Sequence, residues 1–489
     1  MLLKELLKNI DFETNGNLQN IDIASLAFDT SKIKDHGLYF CLTGQQADGH
    51  NYAPKAVKNG AIALVVEHFL DVRVPQIKVS DCREVMAKVS ENFYGNPAKQ
   101  LKMIGITGTN GKTTTTYILH SILQHCGYKT GVIGTIGIVI GDTKYPTTMT
   151  TPDPIEFNKI LAIMLKKGIQ YVVMEVSAHA IALKKMTGIT FDVGVLTNIT
   201  QDHLDFFKTF SHYADTKLSF ISPTFCKSAV VNLDDKLANT LYTKYLGSSF
   251  VCRGFGVDNY LDVYPISYTL DSDGIHFCAD ACGEIQNYST RLIGKFNLSN
   301  LLGALAVADI LGLDPQHVKE GIKAQTPVPG RFNICPLYNG ANAVIDYAHT
   351  PDGLLKILTS AREVCRGKLI CVFGCGGNRD RQKRPIMANI SAKNADYTII
   401  TSDNPRFEKP EDIIDETKKG IADSGAIYEC ITDRQEAISR AVSLSKFGDI
   451  VVIAGKGAED YLDIKGQKIH YSDYEVVDKI NKNNSEVQL

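Results

Sequence analysis

Residues 103–123, MIGITGTNGKTTTTYILHSIL, constrain this chain more than any other stretch. A hydrophobic strand runs into a glycine turn, and the turn runs into an amphipathic helix. Between strand and helix, Gly105-Ile-Thr-Gly-Thr-Asn-Gly-Lys-Thr113 stands where a phosphate loop belongs. Glycines let backbone N–H groups turn toward phosphate oxygens, and the helix N-terminus adds a favourable dipole. On that reading Lys112 reaches the β- and γ-phosphates, and the Thr113 hydroxyl ligates Mg²⁺. The generic pattern asks for glycine five residues before Gly111, where this chain has Ile106. A glycine turn with a purely structural purpose is the alternative.

Strand–helix alternation extends along the whole chain, and 489 residues suit about three domains of ordinary size. The first segment, 1–98, alternates strand candidates such as GLYFCL, AIALVVE and QIKVS with helix-like stretches. The second, 99–328, holds the glycine loop and further core strands, QYVVMEVS, FDVGVLTN and SAVVNL. Within it, residues 260–293 alternate in short runs that predict a small antiparallel patch. TPVPGRF, with two prolines and a glycine, suits a boundary near residue 328. In the third segment, 329–489, AVIDYA, KLICVFGCG, DYTIITS, IYECIT and DIVVIAG are strand-sized runs, each followed by one helix-length stretch. That pattern predicts a parallel, doubly wound sheet with ligands at the carboxyl ends of its strands. The expected fold class is α/β in three domains, a central P-loop ATPase-like domain and a Rossmann-like C-terminal domain among them.

Composition removes several function classes. The 52 Lys and Arg against 54 Asp and Glu argue against nucleic-acid binding through bulk positive charge. No apolar run approaches the roughly 18 residues of a membrane span, and MLLKELLKNIDFE lacks the h-region and cleavage site of a signal peptide. A cytoplasmic, monomeric protein without membrane or nucleic-acid partners is the expectation. The 12 cysteines are scattered without a C-x-x-C pair, so buried reduced thiols are expected rather than disulfides or metal ligands.

The string GTNGKTT resembles the ATP loop of the Mur ligases, amide-forming enzymes of peptidoglycan precursor synthesis. Further motifs fall in that family's order: TTPDP at Thr150–Pro154, MEVSAHA at Met174–Ala180, TNITQDHLDFF at Thr197–Phe207 and HYADTK at His212–Lys217. GKFNLSN at Gly294–Asn300, PGRF at Pro329–Phe332, DYAHTPD at Asp346–Asp352 and GCGGNRD at Gly374–Asp380 continue the series. The match is strongest to the branch that adds the third residue of the stem peptide. It implies an ATP- and Mg²⁺-dependent ligase joining meso-2,6-diaminopimelate to UDP-N-acetylmuramoyl-L-alanyl-D-glutamate through an acyl phosphate. A lysine-adding homologue and a non-catalytic nucleotide-binding relative stay open as alternatives. A folylpolyglutamate synthase fits poorly, because it leaves the N-terminal segment without a role.

The resemblance also implies roles for particular residues. Gly108, Thr109, Asn110, Gly111, Lys112, Thr113 and Thr114 would cradle ATP, with Asn297, Asn300, Arg331 and Asp346 completing its site. Glu175 ends a buried strand; with Thr113 and His203 it offers hard donors for a cation, although a buried carboxylate or an Asp-His pair is often structural. Lys217 reads as a solvated helix lysine by pattern alone, whereas the resemblance implies a carbamate that binds Mg²⁺, so that Lys112, Glu175, His203 and Lys217 form the catalytic set. Phe28, Thr30, Gln45, Gln46 and Ala47 would meet the uridine end of the nucleotide substrate, and Thr150, Thr151, Ser177 and Lys185 its muramoyl-dipeptide end. The Thr30-Ser31-Lys32 register, Ala178, Lys185 and Ala458 depart from the family's usual residues. Asp403-Asn404-Pro405-Arg406 resembles the diaminopimelate-selecting form, with Arg379, Gly455 and Glu459 as further contacts. Asparagines at the start of a helix, as at Asn297 and Asn300, are also ordinary capping residues.

Overall fold

The computed structural model describes residues 1–44, 47–147, 149–271 and 273–485. They form two compact units: Met1–Gly105 with Tyr128–Asp192 and Pro223–Lys227, and Ile106–Gly127 with Val193–Ser222 and Ser228–Leu489.

The first unit opens with a five-stranded sheet in the order Glu13–Thr14, Gln76–Lys78, Ala61–Val66, Gly37–Phe40, Ser25–Ala27. All neighbours are parallel except the Glu13–Thr14 edge. A parallel strand is covered on both faces, which is why AIALVV reads as an unbroken apolar run. Leu38, Phe40, Ala63 and Val65 pack on Val85, Met86 and Val89 of the helix Cys82–Phe93. Tyr39, Leu64 and Val66 face Ala53 and Ala56 on the other side. Asp81 caps that helix by accepting from the Arg83 and Glu84 amides. Later in this unit Tyr171–Glu175 runs parallel to Thr130–Gly134, which turns back through Gly137–Ile140 to Thr143–Tyr145.

In the second unit the predicted antiparallel patch is present as Val263–Asp271, Gly274–Ala281 and Glu284–Thr290. The helix Lys295–Ile310 is buried along nearly its whole length and packs on the helix Lys112–His125. Its stretch 301–307 is accordingly made only of leucine, alanine, valine and glycine.

The third segment builds a six-stranded sheet in the order Asn333–Pro336, Asn342–Asp346, Ile450–Ala454, Leu369–Cys375, Tyr397–Ser402, Tyr428–Cys430. Helices cover both faces over two separate cores, as a doubly wound sheet requires. The sequence predicts a parallel sheet throughout; the observed one has an antiparallel edge, because the chain enters it as a hairpin. Asn339-Gly340 makes that turn, with Gly340 at φ +79°, a hairpin signal that the strand–helix alternation masks. A second unforeseen hairpin, Tyr461–Ile464 with Gln467–His470, follows the last parallel strand.

All 12 cysteines are free; five are buried, six half-buried and Cys430 is exposed, so the expectation of reduced thiols holds better than that of burial. Among the described residues no helix is long and apolar enough to cross a membrane.

Candidate active site

The strand Lys102–Thr107 delivers the chain into Gly108–Gly111, and the helix Lys112–His125 begins directly after. Gly108 and Gly111 have φ of +144° and +87°. A Cβ on Gly108 would lie 1.9 Å from Thr197 Oγ1, and one on Gly111 2.4 Å from Asn300 Oδ1, so only glycine fits at either. The loop is tied down from below. Thr109 N donates to Asn198 O and Asn110 N to Asn198 Oδ1, both at 2.9 Å, and Thr197 Oγ1 donates to Asn110 O at 2.6 Å. A rigid glycine turn at the start of a 14-residue helix is an anion site by construction.

Lys112 folds over this loop and donates from Nζ to Gly108 O and Thr109 O at 2.9 Å each. Thr113 Oγ1 accepts from Arg331 Nη2 at 3.0 Å, and the Arg331 guanidinium lies 4.5 Å from the centre of the Tyr347 ring. Thr114 is buried behind the loop. Asp346 ends its strand and accepts from Phe332 N at 2.8 Å and Ala348 N at 2.7 Å. Burial pushes its carboxyl up, against the pull of Arg331 and the two amides. Asn297 and Asn300 do not cap their helix. Asn297 Nδ2 donates to Ile293 O at 2.8 Å, and Asn300 donates to Asn297 Oδ1 at 3.1 Å while its own Oδ1 abuts Gly111. Their amides therefore shape the floor of the loop instead.

Lys217 overturns its pattern. A helix lysine reads as solvated, yet this one is 2% exposed, donates from Nζ to Gly108 O at 2.7 Å and lies over the Tyr213 ring. Burial, and then Lys112, push its ammonium well below the usual lysine range, with Asp202 pulling the other way. His203 begins a short helix at φ +54°, its Nε2 3.3 Å from Asp202 Oδ2. Asp202 also stands 4.0 Å from His349 Nε2. Burial pushes the Asp202 carboxyl up, but His203, His349 and Lys383 outweigh it and bring it to about 2.

In the first unit Glu175 is buried at the end of its strand and accepts from Thr135 N at 2.8 Å and Thr135 Oγ1 at 3.0 Å. Four predicted substrate residues gather there. Thr150 and Thr135 share a hydroxyl hydrogen bond at 3.1 Å, and Thr151 Oγ1 donates to Glu175 O at 2.9 Å. Ser177 N donates to Thr151 Oγ1 at 3.1 Å, and Lys185 Nζ donates to Thr151 O at 3.3 Å. Lys185 also pairs with Asp153 at 2.9 Å, which fixes its ammonium at this strand end. Phe28 packs against the N-terminal core, Thr30 O accepts from Asn59 Nδ2, and Ala47 O accepts from Gly44 N. Gln45 and Gln46 lie outside the described residues.

A cavity of about 130 Å³ opens at the carboxyl ends of the C-terminal strands. Arg379, Asp403, Asn404, Arg406, Gly455 and Glu459 all line it; Pro405 is not part of the lining. It sits where strand order reverses, since Ile450–Ala454 lies between Asn342–Asp346 and Leu369–Cys375. Sequence reasoning missed several residues here. Lys456 is fully buried, with Nζ 3.6 Å from Asp403, 3.2 Å from Glu459 and 3.2 Å from Asn404 Oδ1. Its only signal was its place directly after Gly455, at the end of a core strand. Asp202, His349 and Lys383 also line the cavity, the first two within motifs whose other members drew the attention. Burial pushes the Asp403 carboxyl up, yet Lys456, Arg434 and His349 together bring it below the usual range. Arg406 adopts φ +52°, held by Arg406 N to Asp463 O at 2.9 Å and Lys465 N to Arg406 O at 2.7 Å.

Three family descriptions match in chain order: "Mur ligase family, catalytic domain" over residues 22–94, "Mur ligase middle domain" over 106–308 and "Mur ligase, glutamate ligase domain" over 330–457. The chain belongs to the Mur ligase family. Two relatives named UDP-N-acetylmuramoyl-L-alanyl-D-glutamate–2,6-diaminopimelate ligase span this Mur ligase almost entirely. The Clostridium tetani protein is 39% identical over 98% of this chain and 99% of its own length. The Bacteroides fragilis protein is 40% identical, again over 98% and 99%. A solved structure with the same name superposes at a TM-score of 0.68, with 29% identity over 96% of this chain and 97% of that one. A Mycobacterium tuberculosis folylpolyglutamate synthase shares the fold at a TM-score of 0.62, but covers only 76% of this Mur ligase and 91% of its own chain at 18% identity.

Proposed function

We propose that this Mur ligase joins meso-2,6-diaminopimelate to UDP-N-acetylmuramoyl-L-alanyl-D-glutamate at the expense of ATP, forming an amide in a peptidoglycan precursor. One observation carries the choice of amino acid: Arg379, Arg406, Asp403 and Glu459 line a single cavity. Two cations and two carboxylates suit a ligand end that is itself an ammonium and a carboxylate. Diaminopimelate has such an end beyond the reacting amine, and lysine does not.

The chemistry follows from bringing two anions together. The D-glutamyl γ-carboxylate must attack the γ-phosphate of ATP in line, so the site has to absorb negative charge. Lys112 and the loop amides would take the phosphates, and Arg331, already bonded to Thr113, brings a second cation to the same helix start. The resulting acyl phosphate is attacked by the amine of the bound amino acid, and the tetrahedral intermediate expels phosphate. Thr113, Glu175, His203 and a carbamate on Lys217 are the donors we assign to Mg²⁺. The Lys217 amine, whose burial disfavours its charged form, is compatible with that carbamate, and oxygen donors with one imidazole suit a hard cation. Mg²⁺ would neutralise charge on the transferring phosphoryl group. Asn297, Asn300 and Asp346 would complete the nucleotide site. Thr150, Thr151, Ser177 and Lys185 would hold the muramoyl dipeptide, with Phe28, Thr30 and Ala47 toward the uridine. Functional domains of 1–98, 99–328 and 329–489, a monomer and a cytoplasmic location complete the reading.

Phosphate release tests it. With ATP, the UDP-muramoyl dipeptide and diaminopimelate together, phosphate appears and the nucleotide product gains one diaminopimelate residue by mass. Omitting any one substrate stops release. No release from the complete mixture, or release indifferent to the amino acid, refutes the assignment.

A further inference from the structure

Arg384 is the largest fully buried side chain in the molecule, and the chemistry above gives it no task. Its guanidinium forks onto one carboxylate, Nη2 to Glu408 Oε1 at 2.9 Å and Nη1 to Glu408 Oε2 at 3.0 Å. Nη1 also donates to Glu416 Oε2 at 2.7 Å, and Nε has no partner. Burying an ion pair is a poor way to gain stability, because desolvation offsets most of the attraction. What a planar fork does well is fix direction.

The direction it fixes is that of two loops. Gly376–Arg379 follows the strand Leu369–Cys375, and Asp403–Glu408 follows its parallel neighbour Tyr397–Ser402. The loops touch backbone to backbone: a Cβ on Gly377 would lie 2.0 Å from Pro405 O. Gly377 N donates to Asn404 O at 2.9 Å, and Arg406 Nη1 donates to Gly377 O at 2.9 Å. At the rim Phe407 N donates to Asn378 Oδ1 at 3.0 Å, and Asn378 N donates to Glu408. Glu408 therefore joins the second loop to the first, and Arg384 holds Glu408 from the helix Lys383–Asn394 beneath. Each loop carries one of the two arginines of the cavity.

We propose that the Arg384–Glu408 pair, with Asn378 at the rim, positions Arg379 and Arg406 relative to one another and so sets the preference for an amino acid with a second carboxylate. These are positioning residues that act through the two arginines. The inference rests on the diaminopimelate reading, and wild-type turnover with that amino acid tests the reading separately.

The experiment compares wild type with Glu408→Gln, Glu408→Asp and Asn378→Gly in steady-state kinetics for diaminopimelate, L-lysine and ATP, alongside thermal melts. A displacement of order 1 Å can cost about 100-fold at a constrained site, so Glu408→Gln should raise KM for diaminopimelate at least ~10-fold. Its kcat, its KM for ATP and its use of L-lysine should stay within about twofold, as expected for uniform binding lost at one subsite. Glu408→Asp, which keeps the charge, should recover part of the loss. Asn378→Gly removes only the exposed rim contact and keeps the left-handed backbone, so it tests the lacing even if Glu408→Gln does not fold. It should raise the same KM by roughly threefold, half an order of magnitude below the loss of the buried pair. If KM for diaminopimelate is unchanged in the variants that fold, or if all three substrates and the melting temperature fall together, the positioning role is wrong.

Discussion

Replacing Arg406 by alanine should convert a selective enzyme into an indifferent one, and the structure bounds the size of the effect. A guanidinium has five N–H donors. In Arg406 Nη1 donates to Gly377 O at 2.9 Å and to Asn404 O at 3.5 Å, and Nε faces Asp463 at 3.7 Å, which leaves the Nη2 edge of the group for a ligand carboxylate. One to two charge-assisted hydrogen bonds on that edge are worth about 2–4 kcal/mol together. At tenfold per 1.4 kcal/mol, kcat/KM for meso-diaminopimelate should fall about 30- to 1,000-fold. L-Lysine brings no second carboxylate, so its kcat/KM should change by no more than a few-fold. The left-handed backbone at residue 406 costs alanine about 1–2 kcal/mol, but both amino acids feel that cost and it cancels in their ratio. The assay is kcat/KM for the two amino acids in wild type and variant at saturating ATP and nucleotide substrate. Equal use of both amino acids by the wild type, or an unchanged ratio in Arg406→Ala, would refute the reasoning.

Lys112→Ala should lower kcat by at least about 100-fold while the circular dichroism spectrum stays native, since the lysine acts on charge in the transition state; near-normal kcat removes the phosphate-loop assignment. Lys217→Ala should lose turnover and regain part of it with short carboxylic acids that refill the anionic position, and intact mass of the wild type under gentle conditions should show added CO₂; full activity without added acid rules the role out. Arg331→Ala should raise KM for ATP more than KM for either other substrate, because its guanidinium meets Thr113 at the helix start; equal changes for all three would show it to be structural instead. For acid stability, hydrogen bonding from Arg384 holds the Glu408 carboxyl at about 2, against 4.5 for an ordinary glutamate. A depressed carboxyl contributes stability that is present above its unfolded pKa and lost as pH falls through the folded one. The melting-temperature gap between wild type and Glu408→Gln should therefore narrow from pH 5 to pH 2, and a constant gap contradicts the charge-based role.

The strands that stand out most plainly in the sequence are those whose burial is symmetric. Ala61–Val66, Leu369–Cys375 and Ile450–Ala454 are covered on both faces, so each stands out as an apolar run. The edge strand Asn333–Pro336 and the hairpin Tyr461–His470 escaped, because short edge strands are half-exposed and carry no run to detect. At the site, motifs with a backbone requirement were legible: Gly108 and Gly111 must be glycine whatever surrounds them. Side chains defined by partners distant in sequence were not. Nothing local to Lys456 reveals that Asp403 and Glu459 will enclose it, and nothing near Arg384 reveals Glu408. Lys217 reads as solvated by its helix pattern, and its burial shows only in the packed structure.

That burial also bears on the head of the glycine loop. Lys112 and Lys217 both donate to the carbonyl of Gly108, at 2.9 and 2.7 Å. Two ammonium groups sharing one oxygen would repel each other strongly out of reach of water. Lys112 is half-buried at the start of its helix, whereas Lys217 is buried, and burial together with Lys112 pushes the Lys217 ammonium well below the usual lysine range. A neutral amine can still donate one hydrogen bond to Gly108, and its lone pair becomes available to CO₂. On the proposed reading, a carbamate would turn Lys217 from a competitor of Lys112 into an anion beside it. On that reading the carbonyl that gathers both lysines would leave one for the phosphates of ATP and the other for a cation.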